Sequence, residues 1–161
     1  MTDAPGAGGP RTSGTPRFER GTDGPRVILV GVDGSPTSLR AAAYAAGLAR
    51  RQGARLVVVF VVASPAMAGW SPYAGQAIAG AAAEVDAELR HELEAGATQF
   101  GVTAEYRTMR GDPVVELTRV ADEVLADAVV VGASEQAGHR VVGSVAVRLV
   151  KAGHWPVTVV P

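Results

Sequence analysis

Short apolar runs alternate with longer stretches of helical periodicity along this chain, and that alternation constrains its fold more than any other feature. Val27 to Val32 (VILVGV), Leu56 to Val62 (LVVVFVV) and Ala128 to Val131 (AVVV) are apolar at nearly every position. Strands of this kind lose both faces to the interior, so they belong to a parallel sheet covered by helices on each side. Val102 to Met109 alternates instead and reads as a half-exposed strand near an edge. Val157 to Val160 (VTVV) supplies a fifth and final strand.

The intervening segments carry helix signals. Ser35-Pro36 and Asp112-Pro113 each place a capping side chain directly before a proline, which suits the first helical turn. The first helix runs through an alanine-rich stretch to Gly53, a natural stop. Ser64 to Gly75 reads as a loop, and a long helix follows to about Phe100. Its expected core stripe is Ile78, Ala82, Val85, Leu89, Leu93, Ala97 and Phe100, spaced three or four apart. The third helix has Val114, Leu117, Ala121, Val124 and Leu125 as its stripe. Gly143-Ser144 opens a fourth helix that stops at Gly153.

The element order is therefore β-α-β-α-β-α-β-α-β. Right-handed crossovers leave few arrangements of such a chain. The expected fold class is α/β: a doubly wound five-stranded parallel sheet of strand order 3-2-1-4-5, with helices on both faces. Ligands of such sheets bind outside the carboxyl ends of the strands where the order reverses, here between strands one and four. The loops Gly31 to Ser35 and Gly132 to Ser144 meet at that point.

Residues 1–25 differ in kind. They are rich in Gly, Pro, Thr and Ser, with Phe18 the exception, and bury too little apolar surface to offset the entropy of ordering. They read as a tail before a domain spanning 26–161. The 161-residue chain is 47% hydrophobic and contains no cysteine, so its core forms without disulfides or zinc-thiolate sites. The formal net charge is -1 and the arginines are scattered, which argues against a nucleic-acid partner. No apolar run is long enough to span a bilayer and the N-terminus lacks the apolar core of a signal peptide. The expected location is the cytoplasm, with no membrane partner.

Chemistry concentrates in the two switch-point loops. Asp33 ends the first strand with a carboxylate suited to accepting hydrogen bonds from a ribose or to capping the turn that follows. Gly143-Ser144-Val145 enters a helix, where free amides and the helix dipole attract anions; a plain N-cap accounts for the same residues. Ser134, Glu135, His139 and Arg140 populate the last loop. A Ser134-His139-Asp33 triad is disfavoured, because the hydrolase elbow needs glycine where Gln136 stands. His91 and His154 read as solvated or structural. Neither G-x-x-x-x-G-K-[ST] nor G-x-G-x-x-G occurs. A phospho-acceptor receiver shares the fold class, but Asp33 has no acidic neighbour and the chain's one lysine, Lys151, lies in the last helix.

Three segments taken in order resemble the universal stress protein family. They are RVILVGVDGSPTSLRAAAYAAGLARRQGARLVVVFVV, GDPVVELTRVADEVLADAVVVG and GSVAVRLVKAGHWPVTVV, together covering about residues 26–161. The resemblance implies a Rossmann-like domain of the adenine-nucleotide-binding type. It implies that Val32 and Asp33 face an adenosine, that Val61 touches the adenine, and that Gly132 opens a phosphate loop. Gly143, Ser144 and Val145 would hold phosphate with backbone amides and the serine hydroxyl. ATP or AMP is the implied ligand, with Mg²⁺ accompanying ATP, and catalysis is not expected beyond slow hydrolysis. The family's G-x2-G-x9-G-[ST] pattern is incomplete here: Glu135 takes the second glycine position, and seven residues rather than nine separate it from Gly143. The expected function is thus a stress-response module that binds an adenine nucleotide weakly. The alternative is a dimeric interaction protein of the same family that binds none. In both readings a homodimer forms through the terminal strand Val157 to Val160, an apolar edge that invites pairing.

Overall fold

The computed structural model describes residues 24–62, 72–134 and 143–161, without the side chains of 72–79. Elements follow the order β1 (Val27–Val32), α1 (Pro36–Gln52), β2 (Arg55–Val62), α2 (Pro72–Phe100), β3 (Ala104–Arg110), α3 (Pro113–Glu123), β4 (Ala128–Gly132), α4 (Ser144–Ala152) and β5 (Val157–Val160). All pairings are parallel and the strand order is β3-β2-β1-β4-β5, as the alternation required.

Two apolar layers sandwich the sheet. Ile28, Val30, Val32, Val58 and Phe60 point to one face and pack under Ala41, Ala45 and Ala49 of α1 and Leu89 of α2. Leu29, Val57, Val59, Val129 and Val131 point to the other and meet Leu117 and Val120 of α3 and Ala146 and Leu149 of α4. Strand side chains alternate between the faces, so continuous apolar runs serve both layers at once.

Local chemistry sets the helix starts. Ser35 Oγ accepts the Ser38 amide at 3.2 Å, and Asp112 Oδ1 accepts the Val115 amide at 3.0 Å, each cap directly preceding its proline. Such caps satisfy amides that have no partner within the helix. Gly53 ends α1 at φ +63°, a left-handed conformation that glycine adopts without a Cβ penalty. At the amino end of the sheet, Asp127 accepts the Arg26 and Val27 amides at 2.8 and 2.9 Å and so ties the start of β1 to β4.

Four local expectations are corrected. The long helix begins at Pro72, within the stretch read as loop, because proline fits a first helical turn as readily as a loop. Phe100 does not join the core stripe: it closes α2 and is 53% exposed. Leu125 does not join the α3 stripe either: α3 stops at Glu123, and Leu125 takes φ +54° and is 74% exposed. β3 begins at Ala104 rather than Val102.

Candidate functional site

The strand order of the sheet reverses between β1 and β4, and the carboxyl ends of those two parallel strands border an open cavity of about 240 Å³. All seven residues singled out from the sequence line it: Val32, Asp33, Val61, Gly132, Gly143, Ser144 and Val145. Ser35, Thr37 and Ser38 of the α1 entry, and Ser134 after β4, complete its polar side. Val59, Val131 and Leu117 contribute apolar surface.

The β1–α1 turn is held by hydrogen bonds within itself. Asp33 Oδ1 accepts the Ser35 amide at 2.9 Å, and the Asp33 amide donates to Ser38 Oγ at 3.3 Å. Ser38 Oγ in turn donates to the Ser35 carbonyl at 2.9 Å. Gly34, between the two bonded residues, sits at φ +83°. Burial pushes the Asp33 carboxyl up, but hydrogen bonds from the Ser35 side chain and amide and from Ser38 outweigh it, leaving the group below the usual carboxylate range. Asp33 is therefore ionised at neutral pH, an acceptor held at the cavity with one oxygen already engaged. The turn-capping role that the sequence left open is met, and the exposed carboxylate still lines the cavity.

The opposite wall is the amino end of α4. Gly143, not Ser144, is its N-cap residue, and among the described residues no side chain caps the helix. Of the residues at this helix start, Gly143 takes the N-cap position, and Ser144 is the first helical residue, too late to cap its own turn. α1 and α3 spend a serine and an aspartate on their first amides. Among the described residues, no side chain caps the first amides of α4, which lie beside the cavity. Gly143 also lies close to the end of β4, since a Cβ there would approach Ser134 Cβ to 3.1 Å.

Gly132 has a packing role that sequence reasoning did not supply. A Cβ on it would meet the Ser38 amide nitrogen and the Thr37 carbonyl carbon at 2.7 Å. Its lack of a side chain lets the first turn of α1 lie against β4, which brings Thr37 and Ser38 into the cavity wall. Thr37 and Ser38 are buried polar residues that the sequence reading missed. Their signal was a run of hydroxyl residues in the first turn after the switch strand. Glu135, His139 and Arg140 lie outside the described residues. His91 and His154 are exposed and take no part in the cavity.

An open, doubly wound α/β sheet with a crevice at its switch point, walled by an aspartate turn and a glycine-led helix entry, places this chain among the Rossmann-like α/β proteins. The chain belongs to the universal stress protein family, whose model matches residues 25–161. A universal stress protein of Methanocaldococcus jannaschii is 30% identical over 141 residues, covering 83% of this chain and 80% of that protein. The crystal structure of a universal stress protein family member from Burkholderia pseudomallei is 31% identical, with a TM-score of 0.68 over 84% of this chain and 96% of that one. The structure of a universal stress protein in complex with cAMP is 28% identical, with a TM-score of 0.56 over 85% of this chain and 97% of that one.

Proposed function

We propose that this protein is a stress-response module that binds an adenine nucleotide in the switch-point cavity, weakly and without efficient turnover, in the cytoplasm. The observation that carries the reading is the opposition of two walls across one cavity: the ionised Asp33 turn and the amino end of α4 with its glycine N-cap. A ribose hydroxyl donates to the free lone pairs of the Asp33 carboxylate. Phosphate is received by the α4 amides and the Ser144 hydroxyl, where the helix dipole favours negative charge. Val61 and its neighbour Val59 offer the base an apolar surface. The related protein solved with cAMP supports an adenine nucleotide as the ligand class. Among the described residues no group of three or more His, Asp or Glu side chains is gathered to hold a metal. In this reading Mg²⁺ enters on the phosphates of ATP. Calorimetric titration of AMP and ATP into the wild-type protein and Asp33→Ala tests the proposal.

A second reading rests on the departure in the phosphate loop, where Glu135 replaces a glycine and the spacing to Gly143 is shorter. In that reading the chain acts as a dimeric interaction protein without nucleotide. Both readings propose a homodimer through β5. Its support is that β5 pairs with β4 on one side only, and that Val157, Thr158, Val159 and Val160 are all half-buried. Val157 and Val159 serve one core layer and Val160 the other, so pairing along this edge extends both layers.

A further inference from the structure

A second polar cluster lies away from the cavity, between α2 and the edge strand β3. The Asp86 carboxylate accepts hydrogen bonds from the Tyr106 hydroxyl at 2.8 Å and the Thr108 hydroxyl at 2.6 Å. Arg90, one turn further along α2, lies 4.7 Å above the Tyr106 ring and donates to Thr108 Oγ1 at 3.4 Å. Burial, then the bond to Asp86, push the Tyr106 phenol up, so it keeps its proton and remains a donor. These bonds tie α2 to β3 and so help to fix its height and rotation. Among the described side chains of this 29-residue helix Leu89 is buried, while Val85 and Leu93 are half-buried.

The cluster is level with the cavity. Thr108 pairs with Phe60 across β3 and β2, and Phe60 pairs with Val32 across β2 and β1. That transverse row ends one residue before Asp33. α2 also reaches the same turn directly. Val85, the neighbour of Asp86, stands against Gly34, where a Cβ would come within 3.0 Å of Val85 Cγ1. Gly34 is the residue spanned by the Asp33–Ser35 bond.

We propose that Asp86 is a positioning residue for the candidate site: by pinning α2 to Tyr106 and Thr108 it seats Val85 on Gly34 and so sets the geometry of the Asp33 turn. Asp86 itself is not among the described residues that line the cavity. Its effect on ligand rests on the nucleotide reading above; its effect on the turn does not.

The test uses the full chain in five forms: wild type, Asp86→Ala, Asp86→Asn, Val85→Ala and the double variant Asp86→Ala with Val85→Ala. Backbone amide resonances of Gly34 and Ser35 are followed by NMR, and AMP affinity by calorimetry. Asp86→Ala is expected to shift both amides and to weaken AMP about three- to tenfold, in the lower part of the range of coupling between neighbouring side chains. Asp86→Asn keeps an oxygen acceptor and is expected to restore both readouts. Val85→Ala should reproduce the amide shifts, and the double variant Asp86→Ala with Val85→Ala should be no worse than either single one. Gly34 and Ser35 amides that stay in place in Asp86→Ala, with only a lowered melting temperature, overturn the proposal, as does failure of Asn to rescue. Should Asp86→Ala not fold, shifted amides in Val85→Ala with an unperturbed Asp86→Asn support the proposal, and unmoved amides in Val85→Ala overturn it. A wild-type protein that binds no AMP refutes the nucleotide reading instead, and the amide shifts alone then decide the role of Asp86.

Discussion

Gly132 and Ser38 approach so closely that a Cβ on the glycine would sit 2.7 Å from the serine amide nitrogen. The obstructing atoms are backbone, at the buried first turn of α1, and have no flexible end to swing aside. Gly132→Ala is expected to push α1 off β4 and to destabilise the protein by about 2 kcal/mol, within the usual cost of overpacking. Chemical denaturation of the variant checks this, and a midpoint equal to wild type would show that the turn yields freely.

Asp112 carries two duties at the other crossover. It caps α3 through the Val115 amide and receives Arg148 of α4 on both carboxylate oxygens, at 2.9 and 3.1 Å. Asp112→Ala is expected to lower stability by about 1 kcal/mol, chiefly through the lost cap, because an exposed ion pair adds little. The Arg148 bonds, then the Val115 amide, hold the Asp112 carboxyl below the usual range. A group whose folded pKa is depressed stabilises the fold above its unfolded value, about 3.9 for aspartate, and loses that contribution as pH falls through the folded value. The stability gap between wild type and Asp112→Ala should therefore be constant near neutrality and shrink below about pH 4. Urea denaturation across that range measures it.

The proposed β5 dimer gives a separate prediction. Val159→Asp places a charge on an apolar edge strand and should shift the protein to monomer in sedimentation analysis without unfolding it. Pro156 and Pro161 bracket the strand and remove two amide donors, which tends to blunt such an edge. Wild-type protein that sediments as a monomer at tens of micromolar would dismiss the dimer.

The parallel sheet and its order were legible because the signals are local: apolar runs, Ser35-Pro36, Asp112-Pro113 and Gly53 each act within a few residues. The cavity was legible from the same order, since the switch point follows from topology. Errors arose where periodicity outran the element. Leu125 continues the α3 stripe in sequence, yet the chain has already turned at φ +54°. Thr37 and Ser38 were missed because helical spacing does not say which face of the first turn meets the crevice. The Asp86–Tyr106 bond joins residues 20 apart and depends on how α2 is rotated against β3, which no local pattern encodes.

In the proposed function, the Asp33 turn and the α4 entry together bind an adenine nucleotide. Isothermal titration of AMP and ATP into wild type and Asp33→Ala addresses it most directly. A hydrogen bond to a charged acceptor contributes about 1.5–3 kcal/mol, which corresponds to a loss of about tenfold to a hundredfold. Saturable binding to wild type and a loss of that order in the variant are expected. Flat heats with wild type, or equal affinity in both proteins, would contradict it.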